Sequence, residues 1–240
     1  VMLRLQYRLK MGFWPDFKHP KRFTEKLQIY KMKYRNPLMP ICVDKYRVRE
    51  YVKSKGLESI LNELYGVYDK AEDIPFDKLP NDYVIKTTDG SGGNNILLVR
   101  NSSELNIAHT INTVNSWLGV KDINAGREWA YTVSETSRII VEALIKSDTD
   151  LLDYKFFCFS GRAYICQVIS NRFTNETIDF FDLNWKHRDN LVGFLDANSR
   201  IGNSRIDIHC PPNFTQMIKI AETLSADFPF VRVDLYNVNG

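Results

Sequence analysis

Residues 83–100, YVIKTTDGSGGNNILLVR, decide how the rest of the chain is read: an apolar run ending in Lys86 passes through a glycine loop into a second apolar run. Gly90, Gly92 and Gly93 carry no Cβ. The backbone there, Ser91 included, can approach a ligand closely and turn N–H groups toward anionic oxygens. Lys86 adds a positive charge beside them. After the glycines, residues 95–99 are β-branched and apolar, which predicts a strand. A dinucleotide fingerprint or a P-loop must open a helix at that point. No GxxxxGK[ST] string occurs, and position 95 is Asn where GxGxxG would need its third glycine. The stretch is therefore predicted to be a phosphate-gripping hairpin.

Working outward, 240 residues suffice for one large domain or two small ones with buried cores. Lys plus Arg number 32 against 29 Asp plus Glu, too even a balance for a nucleic-acid surface. The basic residues concentrate in the first fifty positions, from Arg4 and Arg8 to Arg47 and Arg49. That is either a solvated helical face or a docking surface for anionic lipid or a sugar-phosphate carrier. Cys42, Cys158, Cys166 and Cys210 lack CxxC spacing, which argues against zinc and for a reducing compartment. No apolar run approaches the roughly twenty residues that span a bilayer, and no signal peptide opens the chain. The expected location is cytoplasmic, peripheral to the inner leaflet.

The first third reads as helical. Thr24 is placed to cap a helix to about residue 35 and Asp44 another to residue 55, ended by Gly56, with Pro37 and Pro40 breaking the path between them. Ser102 or Ser103 would cap a helix reaching residue 118. Strands are predicted over 138–145, 155–159, 163–170 and 177–183, with Ser160-Gly161 as a two-residue hairpin turn. A helix over 213–226 and a strand over 231–238 complete an α+β pattern. The expected divisions are a helical region 1–80, a glycine-loop hairpin subdomain 81–135 and a C-terminal subdomain 136–240.

Three groups could serve one nucleotide. Lys86 and its loop would grip phosphate. RIIVEALI supplies Glu142 and then an extended connector, Ala143 to Ile145, whose backbone and apolar side chains suit an adenine edge. VRVDLYNVNG is an apolar strand interrupted by Arg232 and Asp234, which share a face by the period of two. A carboxylate on so buried-looking a strand suits Mg²⁺, a hard cation that takes oxygen ligands. Plainer readings remain: Glu142 as a strand-end charge, Lys155 and Arg172 as ordinary ion-pair partners, Arg232 and Asp234 as a structural pair. The histidines have no HxxxH or triad spacing.

With these residues in view, the chain resembles the ATP-grasp fold and, more narrowly, the TupA-like ATP-grasp family of surface-polysaccharide biosynthesis. The resemblance runs through FTEKLQIYKMKYRNPL, DKYRVREYV, GVYDKAEDIPFDKLPNDYVIK, GSGGNN, GREWAY, RIIVEALI, DYKFFCFSGR and FPFVRVDLYNVNG. It implies two α+β subdomains gripping a nucleotide. It also implies an ATP- and Mg²⁺-dependent ligase that joins a uronic-acid carboxylate of a glycan or lipid-linked sugar to an amino acid or peptide through an acylphosphate. Carried onto this sequence, Lys86 would contact the α- and β-phosphates under the Gly90, Ser91, Gly92, Gly93 loop. Glu142, Ala143 and Ile145 would hold adenine, and Asp153 the ribose or nucleophile. Lys155 would meet the γ-phosphate or acylphosphate, Asp234 would ligate magnesium, and Arg232 or Arg172 would steady the phosphoryl group or a substrate carboxylate. Two departures stand out. The family continues past the NG turn to a strand with a metal-bridging glutamate, a ligand expected beyond Gly240, and Asp89 sits beside the expected triphosphate. A glycosyltransferase-like or nucleotide-binding component of capsule or lipopolysaccharide assembly is the alternative, with Asp148-Thr149-Asp150 as its only DxD.

Overall fold

The structure is a computed structural model and describes residues 2–90, 95–119, 128–133, 137–147, 150–172, 174–194, 200–204, 207–238 and 240. Four helices come first: α1 (Met2–Met11), α2 (Phe23–Lys33), α3 (Leu38–Val43) and α4 (Val48–Ser54). Then follow β1 (Leu64–Tyr68), β2 (Tyr83–Thr87), β3 (Ile96–Val99), α5 (Ile107–Trp117), α6 (Trp129–Thr132) and β4 (Ile139–Ala143). The remainder is β5 (Asp153–Phe159), β6 (Arg162–Ser170), β7 (Thr177–Phe181), β8 (Gly193–Phe194), β9 (Arg200–Ile201), α7 (Phe214–Ser225) and β10 (Phe230–Tyr236). The chain divides into two compact units, one of Phe17–Ile145 and one of Val1–Asp16 with Lys146–Gly240. This grouping differs from the three expected segments. β4 joins the glycine hairpin's unit because it hydrogen-bonds to both β1 and β2, and α1 groups with the C-terminal half.

In the Phe17–Ile145 unit, antiparallel strands run in the order β1-β4-β2-β3. The predicted hairpin is there: Tyr83 pairs with Val99 and Lys86 with Ile96. Tyr83 and Ile85 alternate with Val84 and Lys86, so one face sends Tyr83, Ile85, Val99, Ile139 and Val141 into a core shared with Val114 of α5. Each such buried aliphatic contributes about 1.5–3 kcal/mol. The predicted serine cap of α5 is corrected. Ser102–Glu104 form a separate turn of 3-10 helix, and Asn106 caps α5 by accepting from the His109 N–H at 3.0 Å. α3 is a second correction: Pro40 lies in its first turn, where a missing N–H costs nothing, so it does not break the path. α2 starts at Phe23, one residue ahead of the expected cap Thr24, with Arg22 in the cap position. Asp44 accepts from the Tyr46 and Arg47 N–H groups but caps only the turn ahead of α4, which starts at Val48 with Arg47 in the cap position, a further correction.

The other unit has antiparallel order β10-β5-β6-β7. Ser160 and Gly161, with φ of 47° and 76°, make the two-residue turn between β5 and β6 that NG-like hairpins use. Tyr154, Phe156 and Cys158 of β5 and Val233 of β10 face the core, which Phe214, Met217 and Ala221 of α7 close at helical spacing. Phe156 is fully buried there, whereas Phe157 and Phe159 are only half-buried on the opposite face. β10 is not buried on both faces as its composition suggested. It lies at the sheet's edge, and Arg232, Asp234 and Tyr236 are exposed on the face turned from α7.

Candidate active site

Each sheet spends one face on its core and carries the predicted ionic residues on the other. In the Phe17–Ile145 unit, Glu142 lies opposite Val84 across the β2–β4 ladder, so Lys86, two residues on, is its diagonal neighbour. The Lys86 ammonium meets Glu142 Oε2 at 2.5 Å. On the other carboxylate oxygen, Arg49 donates from Nη1 at 3.1 Å while its Nη2 donates to the Asn62 carbonyl at 2.8 Å. Ile96 and Leu98 of β3, paired with Lys86 and Val84, are exposed on this same face. They give it an apolar floor beside the charges, as an adenosine would need.

Lys45 is a member that sequence reasoning missed. Asp44 caps the turn leading into α4, and the Lys45 N–H donates to the Thr88 carbonyl at 2.8 Å, which fixes the residue against the end of β2. Its ammonium donates to the carbonyl oxygens of Thr87, at 3.1 Å, and Gly90. Burial, reinforced by the neighbouring Lys86 cation, pushes the Lys45 ammonium down to about 8 against the pull of Asp89, Asp44 and Glu142. Two cations held this close on one face are suited to a polyanion. Asp89 is turned to other use: its Oδ1 accepts from the Ser137 hydroxyl at 2.6 Å. Lys86, Glu142 and Gly90 are thus brought to one face. Ser91, Gly92 and Gly93 lie outside the described residues. Ala143 has its N–H committed to the Glu63 carbonyl at 3.0 Å and its own carbonyl accepting from Asn62 Nδ2 at 2.8 Å. A carbonyl keeps a second lone pair, so Ala143 can still accept from an adenine amino group, though its N–H is spent. Ile145 follows β4 as irregular chain.

In the second unit the predicted residues form an alternating chain of charges. Arg172 Nη1 meets Asp153 Oδ2 at 2.7 Å, and the buried Lys155 ammonium meets Asp153 Oδ2 at 2.8 Å and Asp234 Oδ2 at 2.6 Å. Arg232 closes the chain with a two-pronged grip on Asp234, Nε to Oδ1 at 2.7 Å and Nη2 to Oδ2 at 2.8 Å. Strand geometry accounts for this: Asp234 pairs with Lys155 across β10–β5, and Asp153 lies two residues from Lys155 on the same face. Although Asp234 sits on the open face, crowding by its neighbours partly desolvates the carboxyl and pushes it up, but the Arg232 guanidinium and the Lys155 ammonium outweigh that and hold it below the usual carboxylate range. The chain thus alternates three cations with two anions along one face.

Mg²⁺ was expected at Asp234. Among the described residues no three His, Cys, Asp or Glu side chains gather as a metal cage. Asp234 is a lone carboxylate whose two oxygens already accept from Arg232 and Lys155, so an Mg²⁺ ion there would share it with these cations and take its other ligands from nucleotide phosphates. Of Asp148-Thr149-Asp150 only Asp150 is described. It is exposed and accepts from the Asn171 N–H at 2.8 Å, a loop-stapling role.

One further polar cluster escaped the sequence. His187 lies between Asp179, at 2.8 Å from Nε2, and Asp189, at 2.5 Å from Nδ1, beside a cavity of about 280 Å³ that no predicted site residue lines.

No curated protein matches the chain. Among solved structures it is similar to D-alanine–D-alanine ligase from Bacillus anthracis, at 20% identity over 83% of this chain and 54% of that one, TM-score 0.49. The same enzyme complexed with ATP matches at 19% over 90% and 60%, TM-score 0.48. L-amino acid ligase from Bacillus licheniformis matches at 12% over 89% and 44%, TM-score 0.46. The chain thus spans about half the length of these enzymes. The TupA-like ATPgrasp family model matches residues 25–240, nearly the whole chain including every residue of both ionic clusters, and the protein belongs to that family.

Proposed function

We propose that the protein is an ATP-dependent carboxylate–amine ligase. A carboxylate oxygen attacks the γ-phosphorus of ATP and ADP leaves. The amine nitrogen then attacks the acyl carbon of the acylphosphate, phosphate departs, and the nitrogen loses a proton to give the amide. The observation that supports this best is the pairing of Lys45 and Lys86 beside a single carboxylate above an apolar strand floor, a combination suited to phosphates and a base together. Lys45 and Lys86 bind the phosphates, and Glu142 with Ala143 and Ile145 takes the adenosine. Lys155 neutralises charge on the transferring phosphoryl group, Arg172 and Arg232 orient the substrate carboxylate, and Asp153 holds ribose or nucleophile. Asp234 would hold Mg²⁺, which when bound supplies further neutralisation of phosphate charge. The carboxylate is assigned to a uronic acid of a surface polysaccharide or its lipid-linked precursor, and the amine to an amino acid or peptide. Such substrates place the protein in the cytoplasm, peripheral to the inner leaflet through its basic N-terminal region. Among the described residues no helix is long and apolar enough to cross a membrane.

The test is ADP formation by the protein with ATP, Mg²⁺, and a matrix of amino acids against uronic-acid glycans. Turnover dependent on both carboxylate and amine is expected. Stabilisation by a sugar nucleotide and not by ATP, with no ADP from any pair, would overturn the reading in favour of a transferase.

A further inference from the structure

The helix α1 carries two apolar faces, and the fold uses one. Tyr7 is buried, edge-on to Phe13 at 5.6 Å between ring centroids, with Leu3 and Met11 half-buried on the same side. At about 100° per residue, Met2, Leu5 and Leu9 fall within about 60° of arc on the opposite side, and they are 72%, 49% and 71% exposed. Arg4 and Arg8 flank this stripe on one edge and Lys10 on the other. Arg8 donates to the Gly12 carbonyl and Arg4 to the Pro15 carbonyl at 3.4 Å, so both guanidinium groups are drawn toward the C-terminal end of the helix. Just past that end Trp14 is 61% exposed. Residues 1–22 contain six Lys or Arg and one acidic residue, Asp16.

We propose that α1 is an interfacial helix that seats the protein on an anionic phospholipid surface, with Met2, Leu5, Leu9 and Trp14 entering the acyl boundary and the flanking cations meeting lipid phosphates. The charge decides the occupant. A short apolar stripe bordered by cations on both edges, with an indole at its end, complements a negatively charged interface. A second copy of the chain would bring like charges together. Three side chains on a helix about 15 Å long also fall far short of the roughly 800 Å² per partner that a stable dimer buries. The inference deepens the peripheral-membrane reading given above and rests on it, but is independent of the ligase chemistry.

The test is flotation of the full chain with vesicles of phosphatidylglycerol and phosphatidylcholine against vesicles of phosphatidylcholine alone. Wild type is expected to float with the anionic vesicles only and to be released by high salt. Leu5→Glu/Leu9→Glu, two exposed positions that leave the core intact, is expected to weaken binding by about tenfold or more. Trp14 fluorescence, read as the difference from Trp14→Phe, should shift to the blue on binding. Flotation that survives the double substitution overturns the α1 assignment while leaving the peripheral reading in place. Absence of flotation with either vesicle overturns both. A dimer that forms in sedimentation and is lost in the double variant reassigns the stripe to a second copy. ADP formation serves as a separate readout, and the double variant should retain it.

Discussion

Replacing Lys45 tests the phosphate face most directly, because its charge is set within the working pH range. A fall from 10.5 to about 8, at about 1.4 kcal/mol per pH unit, means the fold holds this cation at a cost of about 3 kcal/mol relative to the neutral amine. About nine-tenths of Lys45 is then charged at pH 7 and about one-tenth at pH 9. If only the charged form grips phosphate, the apparent Kd for ATP rises about tenfold between those values. Near pH 8 nucleotide binding should take up about half a proton, visible by titration calorimetry in buffers of different ionisation enthalpy. Lys45→Met should abolish the pH dependence and bind at least about tenfold more weakly at pH 7. Stability runs the other way. Because the folded value lies below the unfolded one, the unfolded chain binds more protons between about pH 8 and 10.5, so this group stabilises the fold progressively as pH rises through that window. Weaker binding at pH 9 therefore cannot be unfolding driven by Lys45. An ATP affinity constant within twofold from pH 7 to 9 would refute the reasoning.

In the alternating charge chain, Asp234→Asn removes the partner of both Arg232 and Lys155 and should lower ADP formation by about a hundredfold or more, and activity within threefold of wild type contradicts the assignment. Gly161 has φ of 76°, and an added Cβ would lie 3.2 Å from the Ala226 Cα. Gly161→Ala should cost about 1–2 kcal/mol in urea unfolding, and an unchanged midpoint would speak against the turn geometry. At His187, burial pushes the imidazole down, but hydrogen bonds to Asp179 and Asp189 outweigh it and raise it above 6.5. The stabilisation is then complete below the unfolded value and lost as pH rises through the folded one. Tm should accordingly fall between pH 6 and pH 8 in wild type and less so in His187→Asn, a contrast that differential scanning fluorimetry can deny.

Strands were legible where β-branched and aromatic residues run together, as in β2, β4, β5 and β6, pairing was legible only at the two hairpins, and the strand after the glycines excluded the helix-opening nucleotide loops. Misreadings came from rules applied without position. By residue type Pro40 reads as a breaker, although proline is tolerated in a first turn. The apolar composition of β10 reads as burial on both faces, although an edge strand can leave one face open. In DKYRVREYV nothing marks Lys45 or Arg49 as part of a nucleotide site, because their partners Gly90 and Glu142 lie 45 and 93 residues away. The Asp44 cap pointed to a helix start, and nothing local distinguishes a lysine turned back to a distant strand from one in solvent. His187 escaped for a different reason: Asp189 and Asp179 lie only two and eight residues away, but such spacings form no motif like HxxxH or a triad.

On β5 and β10 the residues that pack under α7 and those of the charge chain occupy alternate positions of the same strands. Substitutions confined to 153, 155, 232 and 234 can therefore rewrite the charge chain while the packing under α7 goes untouched. A single-residue insertion in either strand has the opposite effect, exchanging the two sets at once. Lineages built on this sheet should accordingly diversify by point replacement on the open side and show length changes only in the turns.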